Sequence, residues 1–242
     1  MDNPAKKHIP LTRIQKLIGK RMLQSKLSKP CFYIESKADI TEFMAMRPKL
    51  RKSLGVKVTT NAFYIHTLAL AVKKCPLTAG KLEDGHIKIA ERINVGFAVN
   101  APQGLVVPVV KNAAEKTLPQ IAGEEQLLTN KARDNQLTLE EIENETVALS
   151  NLGIYGIGRF LGIVPPPAST ILAVGNVVPT VVCEDEEIAV RKIVSLSLAA
   201  DRRIIDEIYA CEFLNFITEQ LENPNANVNT EESRVTLYEK QR

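Results

Sequence analysis

Apolar residues recur along this chain in two rhythms, one near every 3.6 residues and one near every second residue. In "PLTRIQKLIGKRMLQSKL" the apolar positions Ile14, Leu17, Ile18 and Met22 keep helical spacing, with basic residues on the outer face. Thr12, just behind Pro10, is the predicted N-cap, because its hydroxyl can accept from an early helical N–H. "KPCFYIESKADI" alternates instead, with Phe32, Ile34 and Ser36 set against Cys31, Tyr33 and Glu35, and reads as a strand. A second helix is predicted from Thr41 to about Leu54, stopped by Gly55. "TTNAFYIHTLALAVKKCP" is apolar on nearly every side, so it predicts a buried helix that ends at Pro76.

Further along, Asp84-Gly85 lies between two extended segments and predicts a tight hairpin. "GLVVPVVKN" is β-rich, and its Pro108 points to an edge or irregular strand. Residues 117–133 are an amphipathic helix, and "TLEEIENE" is a short acidic turn or helix. "TVALSNLG", the glycine-rich "GIYGIGRFLG" and "VPPPAS" follow, then the strands "TILAVGNVV" and "VRKIVSLSLA". A last helix opens at Asp206 with Ile208, Cys211, Leu214, Ile217 and Leu221 predicted on one face. From Asn223 the pattern is lost and the chain turns polar, which predicts a loosely held tail.

Strands and helices interleave without a strict βαβ rhythm, so the fold class is α/β, a mixed sheet with helices packed on it in one domain. The expected divisions are an arm at 1–9, a domain at 10–224 and a polar tail at 225–242. At 242 residues and 45% hydrophobic composition, the chain can bury a sizeable core. Its net charge of +3 comes from basic residues scattered among acidic ones, and aromatics are 5% with no Trp. That pattern gives no nucleic-acid surface, electrostatic or stacking. Cys31, Cys75, Cys183 and Cys211 are far apart, which fits reduced thiols in an intracellular protein, not a disulfide framework or a zinc site. No apolar run reaches the roughly 18–20 residues of a membrane span, and "MDNPAKKHIPLTR" lacks a secretory core.

The segment that stands out chemically is "SLSLAADRRIIDEIYACEFLNFI", where a strand stops at the charged knot Asp201-Arg202-Arg203 and an Asp-Glu pair opens a helix. The knot holds no His, Cys or Ser to serve as base or nucleophile. By themselves, Asp201 and Asp206 read as a turn residue and a helix N-cap, with Glu207 in the favourable first turn. Of the three histidines, His8 belongs to the arm, His86 flanks the hairpin turn, and His66, on the buried helix, reads as a core or interface packing residue, with a substrate-channel role as the alternative. The glycines of "GIYGIGRFLG" lack a following Lys-Ser/Thr and read as backbone crossing points, not a phosphate loop.

Six stretches carry a family resemblance: "RIQKLIGKRM" (13–22), "TTNAF" (59–63), "INVGFAVNAPQGLVVPVVKNA" (93–113), "LSNLGIYG" (149–156), "PPASTILAVG" (166–175) and "DRRIID" (201–206). In this order the chain resembles the catalytic domain of dihydrolipoamide acyltransferases, the core components of 2-oxo-acid dehydrogenase complexes. More distantly it is similar to chloramphenicol acetyltransferase. The resemblance implies a chloramphenicol acetyltransferase-like fold and a homotrimer with its sites at subunit interfaces. It also implies a channel where coenzyme A and dihydrolipoamide meet a histidine of one subunit and a hydroxyl of the next. Coenzyme A is then a candidate substrate, with no covalently bound cofactor. The expected partners are other copies of the chain and subunits of a 2-oxo-acid dehydrogenase or another large complex, in a bacterial cytoplasm or mitochondrial matrix.

On that resemblance the family-site positions are Ser150, Arg202 and Asp206. The family motif Asp-His-Arg-x-x-Asp-Gly stands here as Asp201 to Glu207, with Arg202 in the place of the histidine and Glu207 in that of the glycine. Gln15 takes the place of the first-helix arginine that pairs with the second aspartate, and Pro165, Ala168 and Gln103 replace further motif residues. A guanidinium has no acceptor lone pair and stays charged, so it cannot take a thiol proton. The expected function is therefore a catalytically disabled, structural or accessory subunit. The alternative is an active coenzyme A-dependent acyltransferase in which Arg202 lowers a thiol pKa as a fixed cation, or contacts a phosphate or carboxylated acyl group. The polar end "NPNANVNTEESRVTLYEKQR" is expected to leave the trimer without the apolar docking that builds larger cores.

Overall fold

The computed structural model describes residues 10–184 and 186–224; the expected arm with His8 and the tail at 225–242 lie outside the described residues. The first helix, α1 (Arg13–Ser28), starts at a capping box. Thr12 Oγ1 accepts from the Gln15 N–H at 3.1 Å, and Gln15 Oε1 accepts from the Thr12 N–H at 2.9 Å. Its contact with the rest of the chain includes a polar row. Arg21, Ser25 and, at the C-cap, Lys29 donate to the main-chain carbonyls of Pro166, Val164 and Ala168. Leu17, Leu23 and Leu27 remain exposed.

Next come β1 (Cys31–Asp39), α2 (Thr41–Leu54) and α3 (Thr60–Lys74). Gly55 ends α2 at φ +65°, the left-handed conformation that costs glycine nothing. Helix α3 is buried along most of its length, as its all-round apolar sequence predicts, and Phe43 stacks on Phe63 with ring centroids 3.8 Å apart. The hairpin of β2 (Gly80–Glu83) and β3 (His86–Ile89) turns at Asp84 and Gly85, both at positive φ, which matches the strand twist.

Short strands β4 (Val95–Phe97), β5 (Val99–Ala101), β6 (Gly104–Val106) and β7 (Val109–Val110) lead into α4 (Leu118–Arg133) and then β8 (Val147–Asn151). Two 15-residue strands, β9 (Thr170–Glu184) and β10 (Glu187–Asp201), precede α5 (Glu207–Glu222). The main sheet runs β1-β10-β9-β8-β4-β7. Its β8 pairs in parallel with β4 and β9, and the other pairings are antiparallel, so the sheet is mixed as expected. Pro108 falls beside β7, the edge strand of this sheet, where a missing N–H costs no ladder bond. The hairpin of β9 and β10 runs past the end of β1, which stops where Asp39 meets Ile193.

Helices α3 and α5 cover one face of the sheet and share the main core with it. One expectation needs correction here. The buried face of α5 is Ala210, Phe213, Leu214, Ile217 and Leu221, while Ile208 is 75% exposed and Cys211 is exposed. Phe213 and the small Ala210 fit against the sheet and α3, which turns Ile208 and Cys211 outward. The glycine-rich loop is confirmed as a backbone crossing. A Cβ on Gly175 would lie 2.0 Å from the Gly158 carbonyl oxygen, and one on Gly153 would lie 2.3 Å from that of Gly175.

Candidate functional site

The charged knot sits where β10 runs out. Asp201 is the last residue of β10; it faces Cys31 of β1, and its N–H donates to the Ser169 carbonyl at 2.9 Å. Its carboxylate is only 1% exposed, and burying a charge there demands a partner. Arg203 supplies one in fork geometry, Nε to Oδ1 at 2.9 Å and Nη2 to Oδ2 at 2.6 Å, while the Arg203 N–H adds a third bond at 3.1 Å. Hydrogen bonding to Asp201 accordingly raises the Arg203 pKa further. The N–H groups of Ile204 and Ile205 both return to the Asp201 carbonyl, closing the turn.

Asp206 then caps α5: its Oδ1 accepts from the Tyr209 N–H at 2.8 Å. Between the two aspartates, the Arg202 N–H donates to the Pro30 carbonyl, and Arg202 Nε donates to Glu207 Oε1 at 2.9 Å. Both partners of this ion pair are about half exposed, at 51% and 57%. Gln15 is committed to the N-terminus of α1. The turn as it stands holds two arginine–carboxylate pairs, and the place of the family's histidine is taken by a guanidinium with no acceptor lone pair.

Ser150 lies elsewhere. It is partly exposed near the end of β8, and the ladder registers set it opposite Ala173, then Ser197, then Glu35. This row belongs to the sheet face away from α3 and α5, where Ser197 Oγ donates to Glu35 Oε1 at 3.1 Å and Arg159 pairs with Glu35 at 2.8 Å. Arg202 is five residues beyond Ser197 and two strands across from β8, a separation on the order of 20 Å at ordinary strand rise and spacing. One chain therefore brings together Arg202, Asp206 and Glu207, but leaves Ser150 apart. The loop after Ser150 is held by Asn151, whose amide donates to Asn61 Oδ1 and whose Oδ1 accepts from the Gly153 N–H.

Two residues near the knot were missed in the sequence. Glu145, 3% exposed, meets Arg21 of α1 at 3.3 Å, and burial raises its pKa. Lys29 is partly buried, and desolvation lowers its pKa even though Asp201 pulls the other way. A sequence separation of 124 residues hides the first contact; a charged residue directly before the apolar run "TVALSNLG" was its only local sign. The neighbouring Cys31 thiol is pushed up by burial and by Asp201. His66 is buried and His86 is exposed, its Nδ1 donating to the Asp84 carbonyl at 2.9 Å. Gln103 donates to the Ala132 carbonyl, and Ala168 is buried under Lys29. All four cysteines are free. Among the described residues, no group of His, Cys, Asp and Glu is arranged to hold a metal ion, and no helix is long and apolar enough to cross a membrane.

The family model for the 2-oxoacid dehydrogenases acyltransferase catalytic domain matches residues 3–228. The chain is 32% identical over 219 residues to the dihydrolipoyllysine-residue acetyltransferase component of the pyruvate dehydrogenase complex of Rickettsia bellii, covering 89% of this chain and 52% of that protein. It is also 32% identical over 221 residues to the mitochondrial pyruvate dehydrogenase protein X component of Mus musculus, covering 89% and 44%. The chain thus spans about half the length of the curated relatives it matches.

Among solved structures, a probable dihydrolipoamide acetyltransferase from Listeria monocytogenes superposes with a TM-score of 0.87 at 33% identity, covering 91% of this chain and 96% of that one. The dihydrolipoamide acetyltransferase of Azotobacter vinelandii, studied for the catalytic role of a serine, a histidine and an asparagine four residues after it, gives 0.87 at 30%, covering 92% and 93%. The cubic core of a pyruvate dehydrogenase multienzyme complex gives 0.87 at 29%, with 92% and 93% covered. Chloramphenicol acetyltransferase shares the fold at a TM-score of 0.51 and 11% identity, covering 84% and 94%. With a family model matching nearly its whole length and this architecture, the chain belongs to the acyltransferase catalytic-domain family of the 2-oxoacid dehydrogenases.

Proposed function

We propose that this domain is a core subunit of a 2-oxoacid dehydrogenase-type assembly that keeps the acyltransferase architecture but no longer transfers acyl groups. The observation that carries this reading is Arg202, set four residues before the N-cap Asp206 and ion-paired to Glu207. In the Azotobacter relative the same four-residue spacing separates a histidine and an asparagine studied for their role in catalysis. A thiol with a pKa near 8.5 is mostly protonated at neutral pH and needs a base, which a guanidinium cannot be. The distance between Ser150 and Arg202 within one chain supports a trimer in which each site would combine residues of two copies. Similarity to the protein X component, as well as to acetyltransferases, supports a structural role beside an active one.

The test is thiol release from acetyl-coenzyme A with dihydrolipoamide as acceptor, run beside an active relative. Loss of a general base costs about 10²–10⁴-fold, and that is the expected deficit. Turnover within tenfold of the relative would favour the second reading, in which Ser150 stays in use and Arg202 serves as a fixed cation for coenzyme A chemistry. Native mass spectrometry is expected to give a trimer or an assembly built from trimers.

A further inference from the structure

A small cavity opens where α1 gives way to β1, and none of the family-site residues lines it. Its volume is about 240 Å³, below the roughly 300–1,000 Å³ of sites for drug-sized ligands, so it suits a small occupant. Pro30, Ile163 and Val164 form an apolar wall, while Lys26, Lys29, Cys31 and Tyr33 supply the chemistry. No carboxylate belongs to the lining.

The two ammonium groups are short of negative charge. Lys29 is partly buried, and its Nζ donates to the Ala168 carbonyl, which leaves two of its three N–H groups. Asp201 and Glu145 attract it, but Asp201 is forked by Arg203 and Glu145 faces Arg21. Burial outweighs that attraction and lowers the Lys29 pKa, the mark of a cation with too little counter-charge. Lys26 is exposed at the rim, its Nζ 3.3 Å from the Tyr33 hydroxyl. That bond uses the phenol oxygen as acceptor and leaves its O–H to donate.

The remaining groups do not repel an anion. The Cys31 thiol is pushed up by burial and by Asp201, so it stays neutral. At the end of α1, the Gln24 carbonyl accepts from Ser28 Oγ at 2.7 Å and the Ser25 carbonyl from the Lys29 N–H at 2.9 Å. Carbonyls satisfied in this way carry less of the negative end of the helix dipole into the cavity.

We propose that this cavity binds a compact dianion of the phosphate class, as free phosphate or as the head of a small phosphate ester, held between Lys26 and Lys29 with the Tyr33 hydroxyl as a third donor. The lysine contacts are charge-assisted hydrogen bonds, the stronger kind. Pro30 and Ile163 cover the carbon end of an ester. Ser150, Arg202 and Asp206 take no part, so the site stands whether or not the domain transfers acyl groups.

Isothermal titration calorimetry on the full chain tests it in a phosphate-free buffer. Inorganic phosphate and glycerol 3-phosphate are the probes, with chloride at matched ionic strength and coenzyme A as controls. Saturable binding of at least one phosphate probe, absent with chloride, is expected, and the tighter probe identifies the source of the dianion. Lys26→Gln and Lys29→Gln should each weaken binding at least about tenfold, the worth of a hydrogen bond to a charged group, and Tyr33→Phe about threefold. Lys16→Gln, at an exposed position of the same helix outside the cavity, should leave the affinity unchanged. Overturning results are no saturation by either probe, a loss in Lys26→Gln no larger than in Lys16→Gln, or affinity unchanged in folded Lys29→Gln. Coenzyme A binding that falls with Lys26→Gln also overturns it, by giving the cavity to a nucleotide substrate. If Lys29→Gln does not fold, Lys26→Gln and Tyr33→Phe, both at exposed positions, decide.

Discussion

Arg202 Nε lies 2.9 Å from Glu207 Oε1, an ion pair that spans the N-cap residue Asp206 at the junction of β10 and α5. The guanidinium is thereby held by a carboxylate that its own helix supplies. With both groups half exposed, the pair adds little to stability, at most about 1 kcal/mol. Its significance is chemical, because it fills the turn with a charge that cannot accept a proton.

Replacing both members should therefore restore what the turn lacks. Arg202→His together with Glu207→Gly is expected to raise thiol release from acetyl-coenzyme A by about 10²-fold or more over the unaltered chain. The single Arg202→His change should give less, since Glu207 would pair with the imidazole. A double variant as slow as the starting protein would show that more than the base is missing.

The neighbouring pair is a different case. Asp201 is buried and takes three hydrogen bonds from Arg203, so Asp201→Ala leaves the guanidinium unmatched and opens the turn. Because Arg203 itself is 38% exposed, the cost should fall below the 3–5 kcal/mol of a fully buried pair, at about 2–3 kcal/mol. Urea unfolding midpoints measure it, and a loss under about 0.5 kcal/mol would refute the assignment.

Gly175→Ala places a methyl group against the Gly158 carbonyl, which backbone alone must yield to accommodate. Overpacking of this kind costs about 1–3 kcal/mol or more, and the segment after Ser150 should shift with it. A melting temperature within 1 °C of the parent, about the shift of a negligible change, would contradict the crossing.

Glu125 of α4 is buried, which pushes its pKa up despite hydroxyl donors from Thr59 and Thr129. With the folded-state pKa above the unfolded one, the native chain holds the extra proton. Stability from this group is thus greatest below about pH 4.3 and declines as pH rises through the elevated folded value. Glu125→Gln should flatten that decline and stabilise the chain near neutrality, as read from unfolding free energies between pH 4 and 7. An unchanged slope would show that Glu125 does not contribute.

Much of the architecture was legible because local rules sufficed. Thr12, Asp84 and Gly85, Gly55 and Pro108 each act through neighbours a few residues away, and each does in the structure what its local sequence implies. The face of α5 was misjudged because Ala210 carries little apolar weight in a periodic pattern, yet its small size lets the helix approach the sheet. Glu145 and Lys29 escaped notice because their surroundings are assembled from residues more than a hundred positions away. The site itself was legible only in part. The turn from Asp201 to Glu207 is local, whereas the register that sets Ser150 about 20 Å from it depends on the long-range pairing of three strands.

The fork of Arg203 on Asp201 bears on how such a domain can change occupation. It shapes the turn from below, while the backbone at position 202 is held by its own N–H on Pro30 and the Arg202 side chain pairs with the half-exposed Glu207. Any residue but proline can make that backbone bond. The side chain at 202 thus projects from a turn whose shape its neighbours set, so exchanging it should cost the fold no more than a half-exposed ion pair, at most about 1 kcal/mol.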